Sequence, residues 1–112
     1  MDYVNDVTLV GRAARKELRY TNSGTALLKG SIIVADEKDT DWYFPIIIWG
    51  EDAEKYNDRI NEGDHILVEG KLTINLWTDR NKQKRSDIQI KVIHFELADQ
   101  GGGGGTDDEI PY

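Results

Sequence analysis

His65-Ile66-Leu67-Val68-Glu69-Gly70-Lys71-Leu72-Thr73-Ile74-Asn75-Leu76-Trp77 alternates with a period of two. The even positions Ile66, Val68, Leu72, Ile74 and Leu76 are apolar, with Gly70 among them. The odd positions His65, Glu69, Lys71, Thr73 and Asn75 are polar, Leu67 being the exception. Successive strand side chains point to opposite faces, so this stretch reads as one long strand with its even set turned to a core. Trp77 is odd. It continues the polar face beside Lys71 and is expected to be exposed. An exposed indole next to a lysine suits base stacking, in which the ring lies on a flat base and the cation meets phosphate. The competing structural explanation is that Trp77, near a strand end, covers a rim.

Working outward, residues 87–97 form a second long strand, joined to the first by the polar tip 78–86. Upstream, residues 51–61 are the one helical candidate: Ala53, Tyr56, Asn57 and Ile60 recur roughly at helical spacing and Gly63 supplies a stop. Residues 26–35 and 42–49 are apolar and β-branched, with the polar stretch 36–41 between them. Residues 3–11 are β-rich, and residues 18–25 read as a short strand, a turn and a new strand. Five strands with one helix between the third and fourth is the element order of an OB-fold, a five-stranded Greek-key barrel, all-β apart from that helix, although periodicity alone would allow other five-stranded barrels.

The third strand is harder to read. Trp42 and Trp49 are seven apart and would face opposite sides of a regular strand, but Pro45 lies between them. Proline inside a strand usually marks a bulge or an edge. One extra residue at Phe44-Pro45 would turn both indoles to one face, and a bulge is expected there. A regular ladder through Pro45 would instead favour one of them, Trp49 first, as core.

Charge runs against a polyanionic partner, the chain carrying a net −7. The last fourteen residues hold Asp99, Asp107, Asp108 and Glu109 with no Lys or Arg, which leaves 17 acids against 14 bases in the first 98. Any phosphate contact therefore depends on local clustering of cations. Arg80, Lys82, Lys84 and Arg85 cluster after Trp77, and Arg12, Arg15, Lys16 and Arg19 form a second group; Asp36, Glu37, Asp39 and Asp41 surround Lys38 with negative charge. The domain boundary falls near residue 98. Residues 99–106, with five consecutive glycines, are a flexible tether by composition, and residues 107–112 form an acidic tip that ends in large apolar groups.

With no cysteine, disulfides and thiolate metal sites are excluded. No stretch of some eighteen apolar residues and no secretory n- and h-regions are present, so a cytoplasmic protein with no membrane span is expected. Only His65 and His94 occur, in no metal-ligand or triad spacing, so neither a cofactor nor an enzymatic activity is expected.

The residues also carry a specific resemblance. Val7-Thr8-Leu9-Val10-Gly11-Arg12 and the run from Glu17 to Ala26 resemble the opening of bacterial and phage single-stranded DNA-binding proteins. The likeness continues through Thr40-Asp41-Trp42, Ile48-Trp49-Gly50, Ala53-Glu54, Gly63, the run from Val68 to Leu72 and Trp77-Thr78-Asp79. It implies an OB-fold that assembles as a homotetramer, less often a dimer, and takes part in DNA replication, recombination and repair. Trp42, Trp49 and Trp77 match stacking positions, and Arg12, Arg19, Lys29 and Lys71 match positions often basic on the DNA path. Asp107, Asp108, Glu109, Ile110, Pro111 and Tyr112 resemble the acidic peptide that recruits partner proteins, with tyrosine where the pattern ends in phenylalanine. Lys38 occupies a position where many members have another aromatic. The short 36–41 loop, the short linker and the acidic body look phage-like. The alternative class is an OB-fold adaptor that mainly binds proteins and does not need its tryptophans exposed.

Overall fold

The computed structural model describes residues 2–98, and the linker and tip expected at 99–106 and 107–112 lie outside the described residues. Five strands and one helix follow in the order β1 (Val7–Tyr20), β2 (Ala26–Ala35), β3 (Asp41–Trp49), α1 (Glu51–Arg59), β4 (His65–Thr78) and β5 (Lys84–Leu97). The strands close into a barrel in the order β1-β2-β3-β5-β4, with β3 and β5 parallel and every other pair antiparallel. Five-strand closure with a single helix between β3 and β4 is the OB-fold. Residues 12–20 belong to β1 itself, so the first strand continues through the cationic group, with one bulge inside it.

The core is aliphatic. Leu28, Ile32, Ile46, Ile48, Ile66, Val68, Ile90 and Val92 point inward, and α1 closes one end through Ala53, Tyr56 and the following Ile60. Lys16 reaches across to the helix C-terminus, where its Nζ donates to the carbonyls of Asn57 and Ile60, the latter at 2.7 Å. A cation there satisfies carbonyls left unpaired at a helix end.

Two bulges shape the barrel. One interrupts β1 between Ala13 and Lys16, so that Ala13 faces Ile32 and Lys16 faces Gly30. Before it the inward residues of β1 are odd; after it Leu18, opposite Leu28, points inward. The other lies in β5 opposite Glu69 and Gly70, and it leaves Ile93 unpaired. A glycine accompanies each: a side chain at Gly30 would run into the Arg15 carbonyl, and one at Gly70 into that of Lys91.

The bulge expected at Phe44-Pro45 is absent. The β2–β3 ladder runs unbroken from Leu27↔Trp49 to Ala35↔Asp41, with Pro45 opposite Ser31. β3 meets β5 only at Ile46 and Ile47, so the donor that proline lacks falls where β3 has no second neighbour. The even set of β4 also needs correcting. Ile66 and Val68 are core, whereas Leu72, Ile74 and Leu76 are exposed. Beyond Gly70, β4 no longer pairs with β1, and before Ile90, β5 does not pair with β3. Residues 71–78 and 84–89 therefore form a two-stranded ribbon projecting from the barrel, with nothing from the protomer's other strands to cover its inward face.

Candidate nucleic-acid interface

Register decides which predicted residues share a surface, because directly opposed residues point the same way. On β3, Tyr43, Pro45, Ile47 and Trp49 face outward; Trp42 has the parity of Phe44, Ile46 and Ile48. Trp42 and Trp49 are thus on opposite sides of the sheet. The aromatic partner of Trp49 on the outer surface is Tyr43, six residues away and 64% exposed, which the sequence reading missed. An even spacing between two aromatics in an unbroken strand was the available signal.

Trp49 is not core: it is 42% exposed. It lies in one row with Leu27 and Arg19 across β3, β2 and β1. Two residues along, Glu17, Lys29, Ile47, Lys91 and Lys71 form a row across all five strands. That row brings the predicted Lys29 and Lys71 onto one surface and adds Lys91, which had not been singled out. A third row holds His65, Arg12, Ile33 and Tyr43. Arg12 and Arg19 share the outer surface only because the β1 bulge shifts parity between them. Arg12, Ile33, Asp41 and His65 help to line a cleft of about 410 Å³.

On the ribbon, Trp77 faces outward as its parity required and is 44% exposed, directly opposite Arg85. Trp77, Lys84 and Arg85 line a notch of about 260 Å³. The indole N–H donates to Asp87 Oδ2 at 2.9 Å. Arg80 and Lys82 lie at the exposed turn beyond. There Asp79 accepts from the Asn81 and Gln83 N–H groups and from Arg85 Nε at 2.9 Å, and these donors hold its carboxyl below the usual range, Gln83 contributing most.

Trp42 lies at the start of β3 beside the β2–β3 turn, 53% exposed, and its indole donates to Asp36 Oδ2 at 3.0 Å. Asp36 also accepts from the Lys38 and Thr40 N–H groups. These bonds, the indole's foremost, lower its pKa. Lys38 is in this turn, away from the rows that hold Lys29, Lys71 and Lys91.

Four of the cations are paired within the protein. Arg12 pairs with Asp41 at 3.4 Å, Arg19 with Glu17 at 2.8 Å, Lys71 with Asp6 at 3.4 Å and Arg85 with Asp79 at 2.9 Å. Among the described residues, Lys29, Lys38, Arg80, Lys82 and Lys84 have no ion-pair partner. No group of three or more metal-ligating side chains occurs among the described residues.

An OB barrel that lays aromatic rings and cations along its outer strands belongs to the class of single-strand nucleic-acid binders. Comparison with known proteins narrows this. Residues 4–98 match the Single-strand binding protein family, and the chain is a member of it. It is 36% identical to a single-stranded DNA-binding protein of Borreliella burgdorferi over 88% of this chain and 72% of that one. It is 33% identical to one from Treponema pallidum, over 90% and 61% respectively. A Wolinella succinogenes relative is 34% identical, over 94% and 72%. Of some relatives the chain spans much less, 41% of the Thermus thermophilus protein. These relatives are bacterial and lend no support to a phage origin.

Proposed function

We propose that this protein binds single-stranded DNA with little sequence preference. Bases lie on Tyr43, Trp49 and Trp77, and Trp42 offers a further ring at the rim. The backbone is held by Arg12, Arg19, Lys29, Lys71, Lys91 and Arg85 along the strands, and by Lys38, Arg80, Lys82 and Lys84 at the turns. The observation that carries this reading is the exposure of all three tryptophans and of Tyr43 on a barrel that has enough apolar residues to fill its core without them. Stacking is worth ~1–3 kcal/mol per base and is indifferent to base identity, since every base has a π-face. A duplex keeps its bases stacked on one another, so single strands are preferred. Exposure of the tryptophans also removes the feature that would have favoured an adaptor binding only proteins.

The same reading makes the protein a homo-oligomer of bacterial cytoplasm. Support comes from Leu72, Ile74, Leu76 and Ile88, large aliphatic groups exposed together on the ribbon, since contiguous apolar surface of this kind marks association sites. Residues 107–112 then recruit replication, recombination and repair proteins through three acids and a terminal apolar pair.

Titrating the chain with oligo-dT while following tryptophan fluorescence tests the DNA reading. Strong quenching that weakens with added salt is expected, and Trp77→Ala should lower affinity by ~1–3 kcal/mol. No quenching at micromolar DNA would overturn it.

A further inference from the structure

Asp87 is an acid on the surface proposed to hold DNA. It shares the outer face of the ribbon with Trp77 and Arg85 and with Lys71 and Lys91 farther along. Its carboxylate makes no ion pair with another described residue; Arg85, two residues away, bonds to Asp79 instead. Among the described residues, the one side-chain bond it makes is the 2.9 Å contact from the Trp77 indole. Charge alone argues against an acid here, because a carboxylate repels the phosphate chain that the neighbouring cations attract. The arrangement recurs at the start of β3, where Asp36 accepts from the Trp42 indole at 3.0 Å. In each case an exposed ring is tethered by its N–H edge to a carboxylate, which fixes the ring's plane and leaves its π-surface for a base.

We infer that Asp87 is a positioning residue for stacking: it holds the Trp77 ring in the orientation that receives a base, and Asp36 does the same for Trp42. The inference rests on the reading of Trp77 as a stacking residue. Ordering an exposed indole before DNA arrives removes part of the entropy cost of ordering it on binding. That gain is set against the repulsion the carboxylate exerts on phosphate, and the two effects have opposite signs in affinity.

The opposite signs provide the test. Asp87→Ala removes both the charge and the acceptor, whereas Asp87→Asn removes the charge and keeps an acceptor for the indole. Oligo-dT affinity is measured for the 112-residue chain, for both variants and for Trp77→Ala. The expected result is that Asp87→Ala weakens binding by about five-fold, the size of one lost hydrogen bond, while Asp87→Asn binds as tightly as the parent or tighter. Anisotropy decay of Trp77, with Trp42 and Trp49 replaced by phenylalanine, should show faster ring motion in Asp87→Ala and parent-like motion in Asp87→Asn. If both variants tighten binding, Asp87 acts only through its charge and the inference fails. Parent-like ring motion in Asp87→Ala would equally overturn it. If Trp77→Ala leaves affinity unchanged, the stacking role of Trp77 has failed instead.

Discussion

Tyr56 is fully buried in α1, its ring meeting that of Phe95 edge-on at 5.2 Å, and its hydroxyl has no hydrogen-bond partner among the described residues. Burial, with a smaller contribution from Asp64, pushes the phenol up to about 12. An unpaired buried hydroxyl costs stability, so Tyr56→Phe should be neutral or stabilising by up to about 1 kcal/mol in urea denaturation at pH 7. The folded state favours the neutral phenol. The parent should therefore lose stability as pH rises above 10 towards 12, a loss the phenylalanine variant lacks. Other single residues show how far sequence alone could reach. Strand parity placed Trp77 outside correctly, because parity needs only an unbroken strand. It failed for Trp42 because Pro45 suggested a bulge, and Tyr43, next in the chain, went unnoticed as the ring that shares a face with Trp49.

At the scale of elements, the three hairpin turns follow one design. In residues 21–25, 36–40 and 79–83 the first N–H bonds to the fifth carbonyl, and the fourth N–H returns to the first carbonyl. The fourth residue takes positive φ, as Gly24, Asp39 or Lys82. This is the three-residue loop that ends in a left-handed residue. Asp36 and Asp79 open two of these turns, and both carboxyls are held below the usual 3.8. A depressed folded pKa gives stability that is present above about pH 4 and lost as pH falls through the folded value. Thermal melts should therefore show the parent's advantage over Asp79→Asn shrinking as pH drops from 6 to 2. An advantage constant with pH would show that the turn does not depend on the charge. The real bulges left a mark that went unread: Gly30 and Gly70 each interrupt an otherwise apolar strand face, and each lies beside a bulge. Isolated strand glycines are a better bulge signal here than the proline was.

For the whole molecule, the ribbon is the feature that alternation could not resolve. A period of two says which residues share a face and is silent on whether anything covers it. Leu72, Ile74 and Leu76 continue the inward face of Ile66 and Val68 past the point where β1 ends its pairing. If a second copy covers them, Ile74→Glu should lower the mass seen by light scattering at constant concentration. The barrel should remain folded, because Ile74 is 64% exposed in the protomer. An unchanged mass would remove the ribbon from the interface.

The paired cations bear on how a net-acidic chain can hold a polyanion. Arg12, Arg19, Lys71 and Arg85 already hold carboxylates of their own chain, so a phosphate bound there would replace one anion with another. Nucleic-acid binding is usually steep in salt because mobile counterions are released from the polymer. On the proposed path, part of that release would be offset by the freeing of Asp41, Glu17, Asp6 and Asp79, which would draw ions back as they are exposed. Added salt weakens the internal pairs and the new contacts together. If DNA follows the proposed path, the surface would work as an ion exchanger there, and a salt titration of oligo-dT binding should give a slope flatter than the number of cations implies.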